Sequence, residues 1–167
     1  MNKFLLSLHV LAAIIAVGPV AVAASMFPRA LRRAQEGPEA VASLHVLHRV
    51  CRVYAGVGVA VPVFGFATAS NMRVLGSAWL ITAIALTAVA AAVLGLWILP
   101  AQQAALGGLG GLDGLEESAV GQESATGKES ALGKTAARLG AATGVFNLLW
   151  ATVTVLMIVR PGSTTGA

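Results

Sequence analysis

Uncharged apolar stretches long enough for a membrane-crossing helix recur along this chain, and most polar and charged residues lie between them. Residues 4–27 hold no charge and a single histidine. Residues 53–70 are shorter but are extended by an apolar-rich lead-in from residue 41, and residues 77–99 and 139–159 are likewise uncharged. A helix needs about 20 residues to cross ~30 Å of hydrocarbon. Backbone in lipid must satisfy its own hydrogen bonds, so each stretch reads as a helix rather than an open strand. The pattern predicts an all-α fold: a four-transmembrane-helix bundle forming a single integral membrane domain over residues 1–167. The second span is expected to carry a helical stem from residue 38, and residues 100–138 to be a flexible, Gly-rich loop.

The first stretch has a second reading. Lys3, the apolar run and the small residues Ala21, Val22 and Ala23 could form a signal peptide, with residues 1–23 removed. Arg29, Arg32 and Arg33 follow at once, and positive charge there resists export and favours a retained anchor.

Composition supports the membrane reading. Hydrophobic residues make up 57% and charged residues 11% of the 167 residues, against about 25% charged in soluble domains. Mean hydropathy is +0.82. This excludes wholesale disorder, a free-standing DNA-binding domain and an ordinary cytosolic enzyme. The net charge of +4 reports topology rather than a nucleic-acid partner, because the basic residues sit between the apolar runs. Eight of them (Arg29, Arg32, Arg33, Arg49, Arg52, Lys128, Lys134, Arg138) fall in the first and third loops, and only Lys3, Arg73 and Arg160 fall on the other side. The positive-inside rule then puts both long loops in the cytoplasm and both termini outside. Trp79 and Trp97 come near opposite ends of the third span, where interfacial rings belong.

The third loop contains three copies of one hexapeptide over residues 116–133 (EESAVG, QESATG, KESALG), preceded by Gly-rich triplets. Glycine costs a helix about 1 kcal/mol per residue, and six residues turn a helix by about 240°, so the repeat keeps no constant face. A flexible linker grown by duplication is expected, and no phosphate-binding GxxxxGK[ST] pattern is present.

Candidate chemistry is sparse. His9 is the ionisable group set well inside a span, where desolvation demands a partner. It could ligate haem iron or a metal, relay a proton, or hydrogen-bond a facing helix. His45, His48, Arg49 and Arg52 recur at i, i+3, i+4 and i+7, a polar stripe on one helix face. With Arg29, Arg32 and Arg33 they are expected to face anionic lipid headgroups, with snorkelling side chains. A metal or haem-propionate site at His45 and His48 has only two of the usual three or four ligands. A bis-histidine haem pairing His9 with either would have to bridge more than about 20 Å in the expected topology. Gly140 and Gly144 form GxxxG in the fourth span, with Asn147 three residues on; all three are expected at helix contacts. Pro19 and Pro62 are expected to kink the first and second helices. No carboxylate lies in any span, so no Ser–His–Asp set is available there, and the lone Cys51 excludes an intrachain disulfide.

Taken together, residues 8–11 (LHVL), the arginine-rich loop after Phe27-Pro28, the Leu99-Pro100 exit with Gln102-Gln103, and the closing run from Met157 to Pro161 resemble the bacterial four-span membrane proteins grouped as the domain-of-unknown-function 2269 family. The resemblance covers most of the chain except the Gly-rich repeat. It implies four helices and a membrane address, and no activity. More distantly, the early Leu-His is similar to four-helix membrane protoporphyrinogen oxidases and copper-resistance proteins. Only His9 carries over, without the accompanying intramembrane lysine or methionine pairs. The expected function is therefore that of a multi-pass protein of the bacterial inner membrane, a structural or accessory subunit without cofactor. Its expected partners are the lipid bilayer and a membrane-protein partner or second copy. The alternative is a haem b- or porphyrin-handling redox protein using His9.

Overall fold

The computed structural model of the chain describes residues 2–110 and 122–161, and no strand occurs among them. The helices are α1 (Asn2–Arg32), α2 (Pro38–Val57), α3 (Ala60–Met72), α4 (Ala78–Ala92), α5 (Leu99–Gly110) and α6 (Gln122–Val159), with a 3₁₀ turn at Ala34–Glu36 and a π-helical segment at Val93–Ile98. Four helical stretches are long and apolar enough to cross a membrane: Phe4–Arg32, Pro38–Asn71, Ala78–Leu109 and Ser130–Val159. These are the four spans the apolar pattern predicts, each reaching further than its uncharged run.

The connections follow local chemistry. Gly37 starts α2 at φ 140°, a conformation that side-chain-bearing residues rarely adopt, and Pro38 takes the first helical position, where its missing N–H costs nothing. The break between α2 and α3 falls at Gly58 and Val59. Pro62 cannot donate to the carbonyl of Gly58, so the helix is interrupted there, and the Val61 N–H turns to Gly58 instead, at 3.1 Å. Pro100 acts similarly in the third span. It has no N–H for the carbonyl of Leu96, and just before it the Leu99 N–H closes a five-residue ring on the carbonyl of Leu94.

That π segment has a packing consequence. Ala90, Leu94, Ile98, Gln102 and Leu106 are all buried, each four residues after the last. In a regular α-helix a four-residue step overshoots a full turn by about 40°. The wider π turn takes out part of that drift and keeps the stripe facing inward.

The bundle runs up and down. α1 packs against α2, α3 and α6; α4 packs on α6; α5 packs on α2. Two cores result. One joins Val20, Ala23, Ala24, Cys51, Ala90, Leu94, Ile98 and Phe146 within the apolar stretches. The other lies towards the end where α1 finishes and α2 begins, here called the basic end. It joins Phe27, Leu31, Ala34, Leu44, Leu106, Ala136 and Leu139, while Arg29, Arg32, Arg33, Lys134 and Arg138 stay exposed around it.

The expectation of a flexible loop over residues 100–138 is corrected on both sides. α5 continues to Gly110 and α6 begins at Gln122, so the second and third hexapeptides are helical. Burial explains this: Leu106, Leu109 and Leu132 pack on the basic-end core and outweigh the glycine penalty. A helix already nucleated by a long apolar stretch also extends at small further cost. Residues 111–121, including the first hexapeptide, lie outside the described residues.

Candidate functional site

His9 faces inward from α1 and is 7% exposed. Its Nδ1 lies 2.9 Å from the carbonyl of Val61 at the start of α3. A carbonyl only accepts, so Nδ1 carries the proton and donates it. The ring rests over Gly65: a Cβ at that position would sit 3.0 Å from His9 Cε1 and 3.3 Å from Nδ1. The glycine lets α3 come close enough to cover the imidazole.

The second polar group spans α2 and α5. His48 Nδ1 is 3.1 Å from Gln102 Oε1, and Gln102 Nε2 donates to Cys51 Sγ at 3.7 Å. Gln102 and Cys51 are both 0% exposed. A buried amide needs partners on both its atoms, and this one finds them on successive turns of α2.

Between α6 and α1, Thr143 Oγ1 donates to the Ala24 carbonyl at 3.4 Å and Asn147 Nδ2 donates to Ser25 Oγ at 3.2 Å. The Ser25 hydroxyl proton is committed to the Ala21 carbonyl, which leaves Oγ free to accept. Asn147 Oδ1 and Trp150 Nε1, an acceptor and a donor one turn apart on α6, are buried without partners among the described residues.

Compared with known protein families, curated proteins and solved structures, the chain matches none.

The remaining residues singled out in the sequence fall as follows. Gly140 faces Pro28 of α1, about van der Waals distance from where a Cβ would stand, whereas a Cβ on Gly144 would meet open space. The two glycines of the GxxxG pattern therefore do not share one contact. His45, Arg49 and Arg52 are exposed on α2, while His48 turns inward to Gln102. Arg29 and Arg32 are exposed, and Arg33 lies 4.0 Å from Glu36 in a solvent-exposed pair. At the opposite end of the bundle the Arg160 guanidinium stands 5.8 Å over the Trp79 ring, tying the end of α6 to the start of α4. Among the described residues no cluster of three His, Cys, Asp or Glu side chains has the geometry to hold a metal.

Gln102 is the residue that sequence reasoning undervalued. It appeared there only as part of a short motif. Its signal was positional: it continues the four-residue spacing of Ala90, Leu94 and Ile98 into the buried stripe.

Proposed function

We propose that the chain is a multi-pass protein of the bacterial inner membrane whose role is structural or accessory, exerted through lipid and protein contacts. The observation that carries this reading is how the inward polar side chains are used. His9, Gln102, Thr143 and Asn147 each spend a hydrogen bond on joining one helix to another. Such bonds hold helices in lipid, where apolar packing alone scarcely favours helix over tail.

One observation favours a second reading. Metal-ligating histidines commonly donate their other ring N–H to a backbone carbonyl, and His9 does so to Val61, an arrangement that in a neutral ring presents Nε2 as the ligating atom. A haem b or porphyrin would be held from that nitrogen. The absorption spectrum of the purified full chain separates the two. The structural reading expects no Soret band, with His9→Ala lowering only the unfolding temperature. A Soret band that disappears in a folded His9→Ala protein would overturn it. Gly65→Ala, which crowds the ring without removing it, serves as a second variant.

Orientation follows the basic residues in this proposal: the basic end is cytoplasmic and both termini are outside. A cysteine introduced at Gly121 should be protected from an impermeant thiol reagent in intact cells, and one at Gly162 labelled. The reverse labelling would invert the topology.

A further inference from the structure

The shared cores fix the depth of the α2 arginines. Cys51 packs in one cluster with Val20, Ala23 and Ala24 of α1, Ile98 of the third span and Phe146 of α6, and Arg52 is the next residue. From that level towards the basic end, α1 reaches its first charge, Arg29, only after five to nine residues, about 8–14 Å. α6 reaches Arg138 after eight residues, about 12 Å, and the third span meets no charge as far as Gly110. Arg52, and Arg49 one turn away, are therefore recessed relative to Arg29 on α1 and Arg138 on α6.

The surroundings at that depth are apolar and outward-facing. Val22, Met26, Val145 and Leu148 are exposed there, with Leu96 at 81% and Trp97 at 63%. Arg49 and Arg52 are themselves exposed, and among the described residues neither has an ion-pair or hydrogen-bond partner. His45 completes the same flank, four residues before Arg49. A guanidinium facing hydrocarbon is costly, and the cost is relieved by snorkelling and by local thinning that draws headgroups down to it. Arginine also pairs with phosphate through two parallel N–H···O bonds.

We propose that the α2 flank bearing Arg49 and Arg52, with His45 one turn further out, is a recessed binding site for the phosphate of an anionic phospholipid. The bilayer surface dips at this flank, while the apolar residues on α1, the third span and α6 keep their acyl contacts. The proposal rests on reading the four helices as membrane spans, and co-flotation of the full chain with vesicles tests that reading separately.

The test uses the full chain in phosphatidylcholine vesicles doped with spin-labelled phosphatidylglycerol or spin-labelled phosphatidylcholine, read as the fraction of motionally restricted lipid. The wild type should select phosphatidylglycerol, and R52Q should lower that selectivity about fivefold, the factor corresponding to about 1 kcal/mol per basic residue near an anionic surface. R49Q/R52Q should bring selectivity close to that of phosphatidylcholine. R29Q/R32Q, which removes exposed charges further out, should retain most of it. Added inorganic phosphate should not displace the restricted lipid. The proposal is overturned by a wild type without preference, by selectivity surviving in R49Q/R52Q, by equal loss in R29Q/R32Q, or by displacement with inorganic phosphate.

Discussion

Leu44→Ala is expected to destabilise the bundle by about 2–5 kcal/mol, the range for emptying a leucine site in a water-facing core. Leu44 is fully buried among Phe27, Leu31, Leu106, Ala136 and Leu139, yet its neighbours in sequence are Ser43 and His45 and its surroundings carry exposed arginines. On the proposed topology this end lies outside the hydrocarbon, so that on opening the side chain would pass into water and lose both the transfer and the cavity contributions. Leu94→Ala is the matched comparison. Leu94 is buried in the other core, inside the uncharged run of residues 77–99. On the proposed topology it would pass on opening into hydrocarbon as apolar as itself, so the packing contribution alone is at stake, about 1–2 kcal/mol. Helix loss on heating in a mild detergent, followed by circular dichroism, gives both values. If Leu94→Ala costs as much as Leu44→Ala, the basic end is not a core in contact with water, and the proposed depth of that end is wrong.

How far the fold could be read from the chain depends on which force shaped each part. The four apolar runs were legible because length and lack of charge decide whether a helix can cross hydrocarbon. The helices beyond them were not. Residues 106–110 and 122–133 are rich in glycine, and their helicity comes from Leu106, Leu109 and Leu132 meeting Phe27, Leu31 and Leu44 from distant parts of the chain. Local propensity does not register such contacts. The π segment at Val93–Ile98 has a local cause in Pro100, but its value lies in aligning Gln102 with the buried stripe, which a fixed 3.6-residue period obscures.

The candidate site divides in the same way. His9 stood out because an imidazole inside an apolar run needs a partner. That partner is the backbone carbonyl of Val61, which no side-chain pattern marks. The polar stripe on α2 was legible as a face; that His48 leaves it for Gln102 depends on where α5 packs. Of the GxxxG pair only Gly140 meets another helix, since spacing alone does not tell which small residue faces a neighbour.

Gly65→Ala should reverse the sign of its effect according to what stands at residue 9. In the wild type the added methyl group would come within 3.0 Å of His9 Cε1 and 3.3 Å of Nδ1. The ring cannot swing away without giving up its bond to Val61. Crowding of this kind costs about 1–3 kcal/mol, and the forfeited hydrogen bond about 1 kcal/mol more. Together they exceed the gain from replacing a helical glycine by alanine, about 1 kcal/mol. With His9→Ala the obstructing ring is gone, and Gly65→Ala then adds only a better helix former and some filling of the space the imidazole left. It should stabilise that background by about 0.5–1 kcal/mol. The four proteins form a double-mutant cycle whose coupling energy is about 2–4 kcal/mol, well outside the scatter of independent sites. Unfolding midpoints of all four in one detergent measure it. A cycle that closes with additive effects would mean that His9 does not lie against Gly65, and the pairing of α1 with α3 would have to be redrawn.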